Sequence, residues 1–344
     1  MMISLKGIGK ICGVSESTVS KALKRNPGIK KETIDRVMEV ARKYGYQPNA
    51  MVECIQTGRS RSIGIAFNKF QCEYAGAVME GIHQVLHEYE YDAYLISWDR
   101  LVKDKVDLLS RFSRRRVDGL LLFPMALPPT SEQIKDLNRF HNPVVLIDSD
   151  WPGNNFDHVG ADNRSVFPEI IKYLINQGRK KIGTISYTLA TTGEERRSAF
   201  LDSMAEFNMP VNARHCLDLS DCWNEAYDAA KKLLADKRNR PDALICFNDY
   251  VANDVLNAAL DLGIRVPEEL ALVGFGNLPL TLRTRPRLAT VDQYPCEIGR
   301  RAATLLLDRI TGKETGTRQD IAIPTTFIVR ESIQFKNTTT EETI

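Results

Sequence analysis

The stretch Gly13-Val14-Ser15-Glu16-Ser17-Thr18-Val19-Ser20-Lys21 carries the densest chemistry in the chain. A glycine able to end one short helix precedes a serine able to start the next, because Ser15 offers an oxygen to the free backbone N–H groups of a first helical turn. The second helix exposes Glu16, Ser17, Ser20 and Lys21 and buries Val19, Ala22 and Leu23. Two short helices joined this way form a helix-turn-helix, whose second helix enters the DNA major groove with its first residues at base edges. Lysine donates to guanine O6 and N7 or to phosphate, and serine bonds in either sense. Ser15 and Thr18 are placed for phosphate contacts, helped by the free N–H groups at the helix start. Lys30 is a further phosphate-contact candidate. Glu16 could accept from cytosine N4 or face solvent.

The charge distribution points the same way. Residues 1–61 hold twelve Lys/Arg against five Asp/Glu, whereas the other 283 hold 34 against 39, so the net +2 hides a basic head on a mildly acidic body. Such a head meets a polyanion. Catalysis has little support: the chain has no GxSxG, P-loop or HExxH, and no GxGxxG after a strand. His83, His87, His141, His158 and His215 form no ligand pattern, and the seven cysteines include no CxxC pair. We expect no enzyme, no cofactor, no metal and reduced thiols. No apolar run approaches the ~20 residues that span a bilayer. The N-terminus lacks a basic segment followed by an apolar one, so a cytoplasmic protein without a membrane partner is expected.

The elements that must position these residues follow from periodicity. Residues 1–46 read as three short helices: one capped by Ser4 with apolar Leu5, Ile8, Ile11 and Cys12, the second capped by Ser15, and a third over about 31–44. The third places Ile34, Val37, Met38, Ala41 and Tyr44 at three- and four-residue steps before Gly45. Residues 47–61 are a connector in which Pro48 stops the helix and Asn49 can cap a short new one. From residue 62, apolar runs alternate with amphipathic stretches. The strand-like runs are 63–67, 93–97, 119–123, 144–148, 181–186, 243–247 and 270–275; helical patterns lie near 74–90, 101–115, 131–139, 163–177, 194–208, 224–236, 248–262 and 294–312. Continuous apolar strands alternating with helices argue for doubly wound parallel sheets in an α/β fold, and this length calls for two lobes. Residues 335–344 read as a frayed polar tail.

The Gly13–Lys21 stretch resembles the motif of the lactose-repressor (LacI/GalR) family of bacterial transcription regulators. Further matches are Arg36-Val37, Gly45-Tyr46-Gln47-Pro48-Asn49, Thr57-Gly58-Arg59-Ser60, Gly178-Arg179-Lys180-Lys181-Ile182, Asn248-Asp249, Gly263-Ile264-Arg265-Val266-Pro267, Val273-Gly274-Phe275, Leu288-Ala289-Thr290-Val291 and Arg330-Glu331-Ser332. Their order from about 4 to 333 makes the resemblance specific. It implies a helix-turn-helix head (1–46), a hinge helix and linker (47–61), and a body (62–344) like periplasmic sugar-binding proteins. The expected N-lobe is about 62–160 plus 290–322, and the C-lobe about 161–289 plus 323–334, with three crossovers. It also implies a homodimer on a palindromic double-stranded operator. Asn49 then lies in the DNA-binding hinge, and Ile55 is the apolar wedge that enters the central minor-groove step. Val52 and Glu53 depart from the family's small-then-basic pattern, and Gly9 and Cys12 replace its usual alanines.

Effector residues are sought at the C-terminal ends of apolar strands, where open α/β sheets bind ligands. Asp148 and Asn248 with Asp249 sit there, Arg196 lies on the helix start after Thr191-Thr192-Gly193 and Gln293 follows the late crossover strand; all match the family's ligand-contacting positions, and Tyr74 and Trp98 are aromatic candidates at the mouth or in the core. Where the family commonly has Asp-Asp, this chain reads Gly276-Asn277. The implied effector is a sugar derivative, an anionic one included, or a related metabolite. Two alternatives stay open: a silent cleft answered by a partner protein, and a solute-binding protein. The second needs an export signal and has no use for residues 1–60.

Overall fold

The computed structural model describes residues 3–46, 54, 58–67, 72–97, 108–124, 131–151 and 153–334. Asn49, Ile55 and Trp98, the expected hinge helix, residues 101–107 of one expected helix and the tail at 335–344 lie outside the described residues. The chain divides into two compact units, Met1–Ser60 and Arg61–Ile344.

The first unit is built on three helices, α1 (Leu5–Cys12), α2 (Glu16–Leu23) and α3 (Lys31–Lys43). Ser4 Oγ accepts from Gly7 N at 3.2 Å to start α1, and Gly13, at φ 65°, ends it. Ile8, Val19, Ala22 and Val37 are fully buried and Cys12 and Ala41 nearly so, with Tyr46 packed against them. Two expected core positions are corrected. Ile11 is 52% exposed and Tyr44 50% exposed. In α1 the inward stripe runs through Ile8, Gly9 and Cys12, which leaves Ile11 on the far side. At the end of α3, Tyr46 takes the place expected for Tyr44. Gly9 has a role that propensity alone does not suggest: a Cβ there would lie 2.7 Å from the Val14 carbonyl oxygen. The turn into α2 thus comes closer to α1 than an alanine would allow without a shift.

In the second unit, a six-stranded sheet has the order β11-β5-β4-β3-β1-β2. Its strands are β1 (Ser62–Phe67), β2 (Asp92–Ser97), β3 (Gly119–Leu122), β4 (Val144–Ile147), β5 (Asp157–Ala161) and β11 (Asp320–Ile323), and every pair is parallel. Alternate residues feed two cores. Ile63, Ile65, Leu121, Val145 and Ile147 meet α4 (Glu73–Glu88) and α11 (Pro295–Thr311) on one face. Ala66, Leu120, Leu122, Val144 and Leu146 meet Phe112 of α5 (Leu108–Arg115) and Leu137 of α6 (Ser131–Arg139) on the other. Helices α4 and α11 cross at backbone contact: a Cβ on Gly81 would collide with the Cys296 carbonyl, and one on Gly299 with the Val78 carbonyl.

The C-terminal lobe has the order β7-β6-β8-β9, from β6 (Ile182–Ser186), β7 (Cys216–Asp218), β8 (Ala243–Cys246) and β9 (Ala271–Val273). It is covered by α7 (Phe167–Asn176), α8 (Thr191–Glu206), α9 (Ala226–Leu234) and α10 (Asp249–Asp261). Strand β10 (Thr290–Asp292) pairs antiparallel with β12 (Thr326–Ile328), a departure from the all-parallel expectation. Gly274 N and Gly276 N donate to Ala289 O and Val291 O, and Ala289 and Val291 lie in the C-lobe core. Residues 290–292 thus belong to the C-terminal lobe, not to the N-terminal lobe expected from sequence. The chain crosses between lobes three times: β5 to α7 near 162–166, β10 to α11 at 293–294, and β11 to β12 at 324–325. Thr325 Oγ1 donates to Asp162 O at 3.0 Å, and the Tyr294 and Thr326 hydroxyls lie 2.9 Å apart, so the crossovers are bonded to one another.

Candidate functional site

In the head, α2 presents Glu16, Ser17 and Lys21 to solvent, with Thr18 and Ser20 half-buried. Ser15 Oγ accepts from Thr18 N at 3.2 Å and lies 2.8 Å from Thr18 Oγ1 and 3.0 Å from Ser17 Oγ. The cap fixes the start of the helix and gathers three hydroxyls beside its free N–H groups. Lys30 is exposed at the start of α3, where no side chain caps the helix. Burial and the Glu16 charge raise the Tyr46 phenol above its usual range. The result is a compact face of hydroxyls, one acid and exposed ammonium groups, suited to phosphates and base edges.

In the body, a cavity of about 750 Å³ lies between the lobes, a volume typical of small-molecule sites. Tyr74, Asp148, Arg196, Asn248 and Gln293 all line it. Asp148 follows β4 with φ 72°, and its Oδ1 accepts from the Tyr74 hydroxyl at 2.8 Å. Burial raises the Asp148 carboxyl, while Arg196 and the Tyr74 hydrogen bond pull it down. Tyr74 is pushed well above its usual value by burial and by Asp148. The tyrosine is therefore a fixed donor, and Asp148 Oδ2 carries no hydrogen bond among the described residues.

Arg196 lies in the second turn of α8, which starts earlier than expected, and is 7% exposed. Its Nε donates to Asn163 Oδ1 at 2.9 Å, Nη1 to Phe247 O at 2.7 Å and Nη2 to Gln293 Oε1 at 3.0 Å. The guanidinium stacks 3.8 Å from the Phe275 ring centroid and 5.2 Å from that of Phe247. Burial lowers its pKa and Asp148 raises it. Asn248 accepts from Val251 N at 2.9 Å and so caps α10, leaving its amide nitrogen for a ligand. Asp249 faces inward: it is 0% exposed, accepts from Thr290 Oγ1 at 2.5 Å and Leu278 N at 2.8 Å, and makes no ligand-facing contribution. Gly276 lines the cavity, but the Asn277 side chain is occupied elsewhere, donating to Asp292 and accepting from Arg330.

Sequence reasoning missed most of the aromatic lining. Tyr187, Phe247 and Phe275 line the cavity with the tilted pair Trp223–Tyr250, whose centroids are 5.2 Å apart. Trp223 sits in a loop with no periodic signal. Tyr250, next to Asn248-Asp249, was findable as the next residue at a strand's end. Tyr250 Oη accepts from Glu73 N at 3.3 Å, bonding the C-terminal lobe to the start of α4 across the cleft.

Residues 4–49 match the family model for bacterial regulatory proteins, lacI family, and residues 171–333 match that for a periplasmic binding protein-like domain. Among curated proteins, the HTH-type transcriptional repressor PurR of Haemophilus influenzae is 28% identical over 338 residues, covering 97% of this chain and 99% of the relative. The PurR repressor of Vibrio cholerae is 28% identical over 318 residues, 91% of this chain and 93% of the relative. Among solved structures, the lac repressor dimer bound to operator and the anti-inducer ONPF superposes with a TM-score of 0.84 at 16% identity, covering 96% of this chain and 99% of that one. These full-length relatives are repressors and not enzymes. The chain therefore carries a head similar to lacI-family regulatory proteins and a body similar to periplasmic binding proteins, in the order found in repressors that align across both.

Proposed function

We propose that the protein is a cytoplasmic transcription repressor that binds a palindromic operator as a homodimer, with its DNA affinity set by a small molecule in the interlobe cleft. The observation that carries this reading is one chain holding both a capped α2 with exposed Glu16, Ser17 and Lys21 and a polar–aromatic cavity between the lobes of its body. In this reading Ser15, Glu16, Ser17, Thr18, Ser20, Lys21 and Lys30 meet DNA, with Asn49 and Ile55 in the hinge. Tyr74, Trp98, Asp148, Arg196, Asn248 and Gln293 surround the effector. No helix among the described residues is long and apolar enough to cross a membrane.

The cavity favours a ligand with hydroxyl or amine donors and an apolar face. Asp148 Oδ2 asks for donors, the aromatic rings ask for flat C–H surface, and Arg196 keeps two N–H groups beyond its three protein bonds. An effector can shift DNA affinity only by its different affinity for two lobe arrangements. The test is selection of bound fragments from random duplex DNA, with and without metabolite pools, alongside thermal shift of the full chain. A ligand at 100 times its Kd adds about 2.7 kcal/mol of stability. Failure to retain any duplex at low salt would refute the DNA reading. A flat thermal profile across sugars, sugar acids and phosphosugars would refute the effector reading.

A further inference from the structure

Arg196 touches more of the hinge than a ligand contact needs. Its three bonded acceptors lie on three segments: Asn163 on the first crossover, Gln293 on the second, and Phe247 O at the end of β8 in the C-terminal lobe. Asn163 is itself 3% exposed and donates to Glu195 Oε2 at 2.8 Å, and Gln293 is 4% exposed. The third crossover joins through Thr325 to Asp162. Stacking on Phe275 holds the guanidinium plane, which a forked, planar group can exploit and an ammonium cannot. On the far side of the cavity, Tyr250 Oη and Glu73 N bridge the lobes.

We propose that Arg196 is a positioning residue that ties two lobe crossovers to the C-terminal lobe, so that one side chain sets both the charge at the cleft floor and the angle between the lobes. A ligand bonded to the two remaining guanidinium N–H groups pulls on the hinge directly, without displacing any protein contact. The inference concerns the body alone, so it stands or falls independently of the DNA reading above.

The experiment is amide hydrogen exchange on the full chain without ligand or DNA, read at the first turn of α4 around Glu73. That site lies in the opposite lobe, and none of the three Arg196 hydrogen bonds is made to it. Arg196→Met keeps apolar contact with Phe275 and removes the fork. Exchange at 73–75 is expected to rise about tenfold or more, the scale of losing one hydrogen bond to a charged group. Arg196→Lys, which keeps the charge, is expected to behave like Arg196→Met. Tyr250→Phe should raise exchange at Glu73 and leave 162–166 and 293–294 protected. If Arg196→Met does not fold, Gln293→Met removes one of the three bonds and should raise exchange at 73–75 by a smaller factor. Unchanged exchange at 73–75 in the variant that folds, or full protection restored by lysine, would overturn the proposal.

Discussion

Asp249 offers a quantitative test, because a carboxylate with no exposure sits beside the cleft residues Asn248 and Tyr250. Burial is the largest influence and pushes its pKa up to about 6 from 3.8, against the hydrogen bonds from Thr290 and Leu278 and the charges of Arg330 and Arg196. The folded state then holds a proton that the unfolded state has released between about pH 4 and pH 6. Linkage gives the sign: the Asp249 contribution is most favourable below pH 4 and is lost as pH rises through about 6. A shift of roughly two units corresponds to about 3 kcal/mol. Asp249→Asn mimics the protonated acid, with Oδ1 toward Leu278 N and the amide toward Thr290 Oγ1. The measurement is urea unfolding of wild type and variant from pH 4 to pH 8, followed by tryptophan fluorescence, since Trp98, Trp151 and Trp223 all lie in the body. Taking the difference removes the other carboxylates. The variant should gain on the wild type as pH rises, by up to about 3 kcal/mol. A pH-independent difference, or one of opposite slope, would refute the reasoning.

Other outcomes follow from the head and the helix crossing. Lys21→Ala should weaken operator binding by about 1–3 kcal/mol and relax one base position, whereas Lys30→Ala should weaken all duplexes alike and reduce the salt slope by about one; equal effects of Lys21→Ala on operator and random DNA would reject its base-reading role. Ser15→Ala removes the α2 cap and should destabilise the head by about 1 kcal/mol, seen by circular dichroism of the full chain. Gly299→Ala drives a Cβ into the Val78 carbonyl, so the body should lose at least about 1–3 kcal/mol by calorimetry.

The elements that sequence made legible are those with local signals. Caps at Ser4 and Ser15 and the glycine at 13 mark the head helices because each acts within one turn of chain. The apolar runs at 119–123, 144–148 and 243–247 mark strands buried on both faces. Less legible were β5, β7, β11 and β12. Asp157–Ala161 reads DHVGA and has no continuous apolar run, and it is held as a strand by β4 and β11 on either side. In the site, Asp148 and Arg196 stood out as charges at strand and helix ends. Nothing local says that Asp249 turns inward or that Asn277 bonds Asp292, since both depend on segments more than ten residues away.

The close approach at Gly9 bears on any attempt to redirect the head. A helix-favouring alanine at that position gains up to about 1 kcal/mol of intrinsic propensity, yet its methyl group presses on the Val14 carbonyl, one residue before the Ser15 cap. Such a change would push the α1–α2 turn away from α1 at the point where Ser15 starts α2. Grafting base-contacting side chains from a relative onto α2 should therefore carry the matching residue at 9 with them, because the start of that helix rests on this close backbone approach as well as on the grafted surface.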